Sequence, residues 1–281
     1  MRYRAQRYAL AGGLYLVLGV GAVLTAFPFF WMVTGSFKGT PELFRMPVAL
    51  LPKEWLLTHY VNLFTTRPYA RWYTNTIFLA VTQTFLVLFF CSLAGYGFGK
   101  YNFRGKPVLF GILLSTLVIP SITTLIPSFV LVFKMGLINT YLGIILPGMA
   151  PAFGIFLMTQ FMHSIPDELL DAGRIDGSSE FGLFLRIVLP LMKPALGALA
   201  IFTFLGSWNN YLWPLIILRN MNLYNLPLGI ATLRGLAGST AKVEWGMILA
   251  ASTLSVLPIL LLFVAMQRQF ISGLTLGSVK G

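Results

Sequence analysis

Five of the eight carboxylates in this 281-residue chain fall within residues 164–194. They are Asp167, Glu168, Asp171, Asp176 and Glu180, and no other stretch is acidic enough to supply acid–base chemistry. A membrane-embedded enzyme would need such a cluster near one membrane face. The helical spacing and the basic neighbours Arg174 and Arg186 suit docking better than catalysis. His59 and His163 stand alone, with no second ligand at metal spacing, and are expected in loops. Cys91 lies inside an apolar run and is expected to be a small buried hydrophobe. Gly95-Tyr-Gly-Phe-Gly-Lys100 is rich in glycine but lacks the spacing and the Ser/Thr of a phosphate loop. Close helix packing through small residues fits it better. No cofactor or metal site is therefore expected in this chain.

The acidic run has a local structure of its own. Pro166 suits a first helical turn, and Asp167 and Glu168 follow where a helix N-terminus favours negative charge. Leu169, Ala172 and Ile175 recur at helical spacing, which gives the helix an apolar side. Gly177 should end it, and a second turn or two should run from Ser178 to Arg186 before Pro190. A helix this short is marginal alone in water and needs a surface to lie against. Lipid headgroups or another protein could provide one.

The elements around this run are membrane spans. With 57% hydrophobic and 10% charged residues, the chain is expected to be an all-α, polytopic membrane protein. The net charge of +12 then belongs to span ends and anionic lipid, and nucleic acid is not an expected partner. Six runs are long enough to cross a bilayer: 8–33, 72–94, 108–133, 141–162, 195–218 and 245–266. They make one transmembrane domain over residues 1–281, with a cytoplasmic loop at 163–194. An even count puts both termini on one side, and Arg2, Arg4 and Arg7 make that side the cytoplasm. Lys100, Arg104, Lys106, Arg174, Arg186 and Lys193 agree, although nine of the twenty basic residues fall outside. The N-terminal apolar run is too long for a signal peptide and is expected to be a retained span.

None of the six spans contains an ionisable Asp, Glu, Lys, Arg or His. Ion-coupled transporters usually carry such groups, so a conduit without them must draw energy from a partner. The polar features inside the spans are neutral. Pro120 and Pro127 interrupt the third span beside Thr123 and Thr124, and Asn209, Asn210 and Tyr211 interrupt the fifth. Irregular backbone at this depth is tolerated where protein or a water-filled cavity surrounds it. The two amides could be helix–helix glue or could line a path for a polar, uncharged solute.

Asp171-Ala172-Gly173, three residues, Gly177, nine residues, then Ile187-Val188-Leu189-Pro190 resembles the EAA loop of ATP-binding-cassette (ABC) importer permeases. Asp171 and Gly173 replace the Glu and the second Ala of that motif. Gly136-Leu-Ile-Asn-Thr-Tyr141, Trp208-Asn-Asn-Tyr-Leu-Trp-Pro214 and the tail from Gln267 to Gly281 resemble segments of the carbohydrate, MalG-like branch. The resemblance implies a type I ABC importer permease fold in the cytoplasmic membrane of a prokaryote.

It also implies partners: a second, MalF-like permease subunit, an ABC ATPase dimer carrying the ATP and Mg, and an extracytoplasmic solute-binding protein. Asp171, Ala172, Gly173, Asp176, Gly177, Ile187, Leu189 and Pro190 would then couple to the ATPase. Gly273, Leu274, Thr275 and Gly277 would reach the same interface, and the outer loop 219–244 would touch the binding protein. A sugar or oligosaccharide is the implied solute, and a related branch handles glycerol 3-phosphate. An ion-independent secondary transporter or channel is the alternative outside that family.

Overall fold

The protein is described by a computed structural model covering the backbone of residues 2–234 and 243–275, and the side chains of 11–234 and 243–264. All regular structure among the described residues is helical, with no strand. α1 (Arg2–Gly35) is followed by the short α2 (Thr40–Leu43) and α3 (Thr58–Thr65), and then by α4 (Tyr69–Lys100). α5 (Lys106–Thr116) and α6 (Leu125–Lys134) come next, then α7 (Tyr141–Ile145) and α8 (Ala152–Met162). The acidic run forms α9 (Asp167–Ile175) and α10 (Glu180–Leu183), and continues through a π-helical turn, Phe184–Val188, into α11 (Leu189–Leu191). α12 (Lys193–Trp208), α13 (Leu212–Ile217), α14 (Leu226–Thr232) and α15 (Trp245–Thr275) complete the order.

Among the described residues, three helices are long and apolar enough to cross a membrane: Ala11–Gly35, Tyr69–Lys100 and Trp245–Val264. Two bent pairs raise the count to five if each is one span. Tyr141–Gly148 meets Ala152–Met162 at 43°, and Glu180–Leu191 meets Lys193–Trp208 at 80°. Proline explains where they bend, since it lacks the N–H that would continue a helix. Pro147 and Pro151 bracket the first break, and Pro194 opens α12 just after the second. The run expected as a third span is two short helices, α5 and α6, with irregular chain at 117–124 between them. Pro120 sits in that gap, and Pro127 falls in the first turn of α6 where its missing N–H is harmless.

The chain divides into two compact units, one made of 1–69 with 230–257 and the other of 70–229 with the chain from 258 on. The first is organised around a lysine. Lys38 is fully buried, its Nζ donating to the carbonyls of Ala49 (2.6 Å) and Leu50 (3.2 Å) and lying 4.3 Å from the centre of the Trp31 ring. Burial lowers its pKa, with Glu42 opposing the effect. His59, expected in a loop, instead lies in the first turn of α3, with Nε2 3.0 Å from the Lys38 carbonyl. The hydrogen bond to that carbonyl gives the ring a partner that sequence spacing could not show.

The second unit carries the site. Gly95 and Gly99, one helical turn apart on α4, let α8 approach so closely that a Cβ on either would strike Met158 or Met162. This is the small-residue packing expected of that glycine cluster, whereas a Cβ on Gly97 between them would meet nothing within 4 Å. Cys91 is free and buried beside them. Val87, Met158, Met162, Leu170, Phe184, Val188 and Leu199 share one core, so the acidic run is packed into the same cluster as α4, α8 and α12.

Candidate functional site

α9 ends in a Schellman arrangement. Gly177 has φ +79°, the Ser178 N–H donates to the Gly173 carbonyl (3.0 Å) and the Gly177 N–H to Arg174 (3.0 Å). A left-handed residue is needed there, and glycine adopts that conformation without Cβ strain. Four residues back, Gly173 is buried, and a Cβ on it would collide with the Leu183 side chain and come within 3.0 Å of Ile187 Cδ1. The departure from the motif at this position therefore has a packing reason: α9 lies against the following turns with no room for a methyl.

Charge fixes the same helix at both ends. Lys100, at the end of α4, donates to Asp167 Oδ1 (2.7 Å) and to the Ile165 carbonyl. That hydrogen bond lowers the Asp167 pKa. At the other end Arg174 bridges Asp171 (2.8 Å) and Glu180 (2.8 Å). Glu180 also accepts from the hydroxyls of Tyr96 (3.0 Å) and Tyr101. Arg174, and Tyr101 after it, hold the Glu180 carboxyl down at about 2. This latch was not legible from the sequence, because Arg174 and Glu180 are joined only by the turn at Gly177 and the tyrosines lie some eighty residues earlier.

The apolar side of α9 is the exposed one. Leu170 and Gly173 face the core, while Leu169 is 44% and Ile175 86% exposed, with Ala172 exposed between them. The helix is thus seated on its own chain by one face and offers a second apolar stripe outward. Asp171 and Asp176 are exposed beside that stripe, and Asp176 caps the helix. Ile187 and Leu189 pack partly against the core, and Pro190 is exposed.

A cavity of about 440 Å³ opens elsewhere in the same unit. Of the five residues proposed from sequence for a solute path, Asn210 and Thr124 line it. Thr123, Asn209 and Tyr211 do not. The Asn209 Nδ2 turns back to the Leu205 carbonyl (2.9 Å), closing the end of α12. Thr123 likewise bonds its own backbone at Pro120 (2.7 Å). Gln83, Thr203 and Ser207 line the cavity and were missed or passed over. The signal for two of them was present, since Thr203, Ser207 and Asn210 recur at helical spacing through the end of α12 and the residues after it.

The segment after α13 is held by amides. Asn139, at φ +60°, accepts from the N–H groups of Arg219 and Asn220 (both 2.9 Å), and Asn225 Nδ2 donates to the Asn210 carbonyl (2.6 Å). Residues 235–242, within the loop expected to be outer, lie outside the described residues. Gly273, Leu274 and Thr275 are in the last turn of α15, and Gly277 lies outside the described residues.

A family described as "Binding-protein-dependent transport system inner membrane component" matches residues 88–275, and the chain belongs to it. It is a multi-pass inner-membrane component of an ABC transporter and not an enzyme, which removes the membrane-enzyme and secondary-transporter alternatives. The arabinooligosaccharides transport system permease protein AraQ of Halalkalibacterium halodurans is 38% identical, covering 92% of this chain and 93% of that one. The lactose transport system permease protein LacG of Rhizobium radiobacter is 36% identical, with 95% of each chain covered. The fold matches a solved bacterial ABC transporter involved in import of the acidic polysaccharide alginate, with TM-score 0.83 and 22% identity over 94% of this chain and 96% of that one.

Proposed function

We propose that this chain is one of two permeases in an ATP-driven carbohydrate importer, and that α9 is the lever through which a partner ATPase dimer moves it. In this reading six spans cross the membrane with both termini in the cytoplasm, and loop 163–194 faces the ATPase. A MalF-like subunit completes the conduit and a binding protein delivers a sugar or oligosaccharide from outside. The ATP and Mg sit on the ATPase. The relatives named for arabinooligosaccharides and lactose support the solute class.

The carrying observation is the outward stripe Leu169–Ala172–Ile175 on a helix whose other face and both ends are already fixed. Apolar area left in water on a rigid support is favourable to bury, at about 25 cal/mol per Å². Motion of the docked helix would pass through the shared core of Leu170, Phe184 and Val188 to α12, because packed interiors transmit displacement instead of absorbing it. Pro190 and Pro194 set the bend at which that motion enters the membrane.

The test is Ile175→Asp in the co-expressed, tagged complex. Ile175 is almost wholly exposed, so the variant chain should insert and resist heating as the parent does. Co-purification of the ATPase and sugar-stimulated hydrolysis should both be lost. Retention of the ATPase at parental yield would overturn the lever assignment.

A further inference from the structure

We infer that the cavity of about 440 Å³ in the second unit is a solute subsite supplied by this subunit itself, built for one uncharged sugar ring and closed to anionic ones. The inference rests on the carbohydrate reading above and narrows it.

Three features carry it. First, the volume lies within the range of small-molecule sites, roughly 300–1,000 Å³. Second, its polar groups are all neutral. Ser121, Thr124 and Ser128 come from the break before α6 and its first turn, and Thr203, Ser207 and Asn210 come from the C-terminal half of α12 and the residue pair after it. The Thr124 hydroxyl already donates to the Ser121 carbonyl (2.9 Å) and offers an acceptor, while a hydroxyl not so engaged can both donate and accept, as each hydroxyl of a sugar does. Third, Phe153 and Phe202 add apolar rings to the same wall, 6.2 Å apart and edge to face. A lining of apolar surface with a few placed polar groups is how ligand sites are generally built.

The charge argument is the sharper one. No Asp, Glu, Lys, Arg or His is among the described residues lining the cavity. A carboxylate or phosphate entering it would lose hydration with no cation to replace it, which is strongly unfavourable. The nearby basic group is Arg219, which lines a separate, smaller pocket shared with Leu125. It is a cation that an anionic solute could use outside the cavity.

The experiment uses the complete importer in proteoliposomes, with a neutral pentose trisaccharide and a uronic acid trisaccharide of equal length as probes. In a complex carrying Ser207→Cys, the neutral trisaccharide should slow thiol labelling at that position at least fivefold, and the uronic acid should not. The native Cys91 is buried and adds little background. The pair Thr203→Val and Ser207→Ala should raise the half-saturating concentration for neutral uptake about tenfold.

Neutral uptake with no protection at Ser207→Cys and no change in the double variant would overturn the subsite while leaving the importer reading intact. Uronic acid uptake at equal affinity, abolished by Arg219→Gln, would overturn the charge selection. Failure of the parental complex to import any saccharide would sink the carbohydrate reading and this inference together.

Discussion

Replacing Gly177 with valine should disconnect the lever while leaving it in place. The residue sits at φ +79°, and nothing lies within 4 Å of where a Cβ would project, so the penalty is purely conformational. Holding a branched side chain in the left-handed region costs about 2 kcal/mol. The chain can avoid that cost only by giving up the two capping bonds from Ser178 to Gly173 and from Gly177 to Arg174. Each of those is worth about 1 kcal/mol net, so the two routes are similar in cost. A loss of about 2 kcal/mol lowers the ratio of capped to uncapped loop about thirtyfold. The cap also sets the path from Arg174 to Glu180, so the latch weakens with it.

Gly177→Asn is the control, because asparagine tolerates the left-handed region. In the reconstituted complex, Gly177→Val should lose most sugar-stimulated ATP hydrolysis with normal membrane insertion, and Gly177→Asn should keep most of it. Equal loss in both variants would refute the backbone argument, as would full activity in Gly177→Val.

Two further outcomes follow from the same region. Gly173→Ala should gain about 1 kcal/mol of helix propensity but lose about 1–3 kcal/mol to overpacking against Leu183 and Ile187. Its net destabilisation should shrink when combined with Leu183→Val, as measured by thermal melting of the purified complex. For Glu180, the folded-state carboxyl sits at about 2, below its ordinary 4.5, so its bond to Arg174 contributes stability fully present above pH 4.5. That contribution is lost as pH falls through about 2. Protease protection of loop 163–194 should therefore not change through this group between pH 8 and 5, and should fall below pH 4.5. In Glu180→Gln the acid-dependent step should shrink to the part contributed by the Lys100–Asp167 pair, whose carboxyl is also held below its ordinary range.

The helical class, the membrane location and the position of the acidic run were legible because each depends on local rules. Apolar length marks a helix that crosses lipid, and Pro166 and Gly177 bound α9 through backbone geometry that needs no tertiary partner. The breaks were legible only in part. Pro120 and the asparagine pair marked irregular positions, but whether a proline kinks a helix or parts it depends on what packs alongside. The structure parts the third run into α5 and α6 and turns Asn209 inward to its own helix, leaving Asn210 and Thr124 at the cavity.

Residue pattern alone determined that α9 has an apolar stripe at Leu169, Ala172 and Ile175 and a glycine where the helix must stop. Only the folded chain decided which face of that helix is taken and which is left open. Periodicity assigns residues to a face but says nothing of what covers it, and the answer came from Leu183, Ile187 and Glu180 folding back past the turn. The latch and the cavity share that origin: both join groups distant in sequence, whose meeting is fixed by packing and not by spacing.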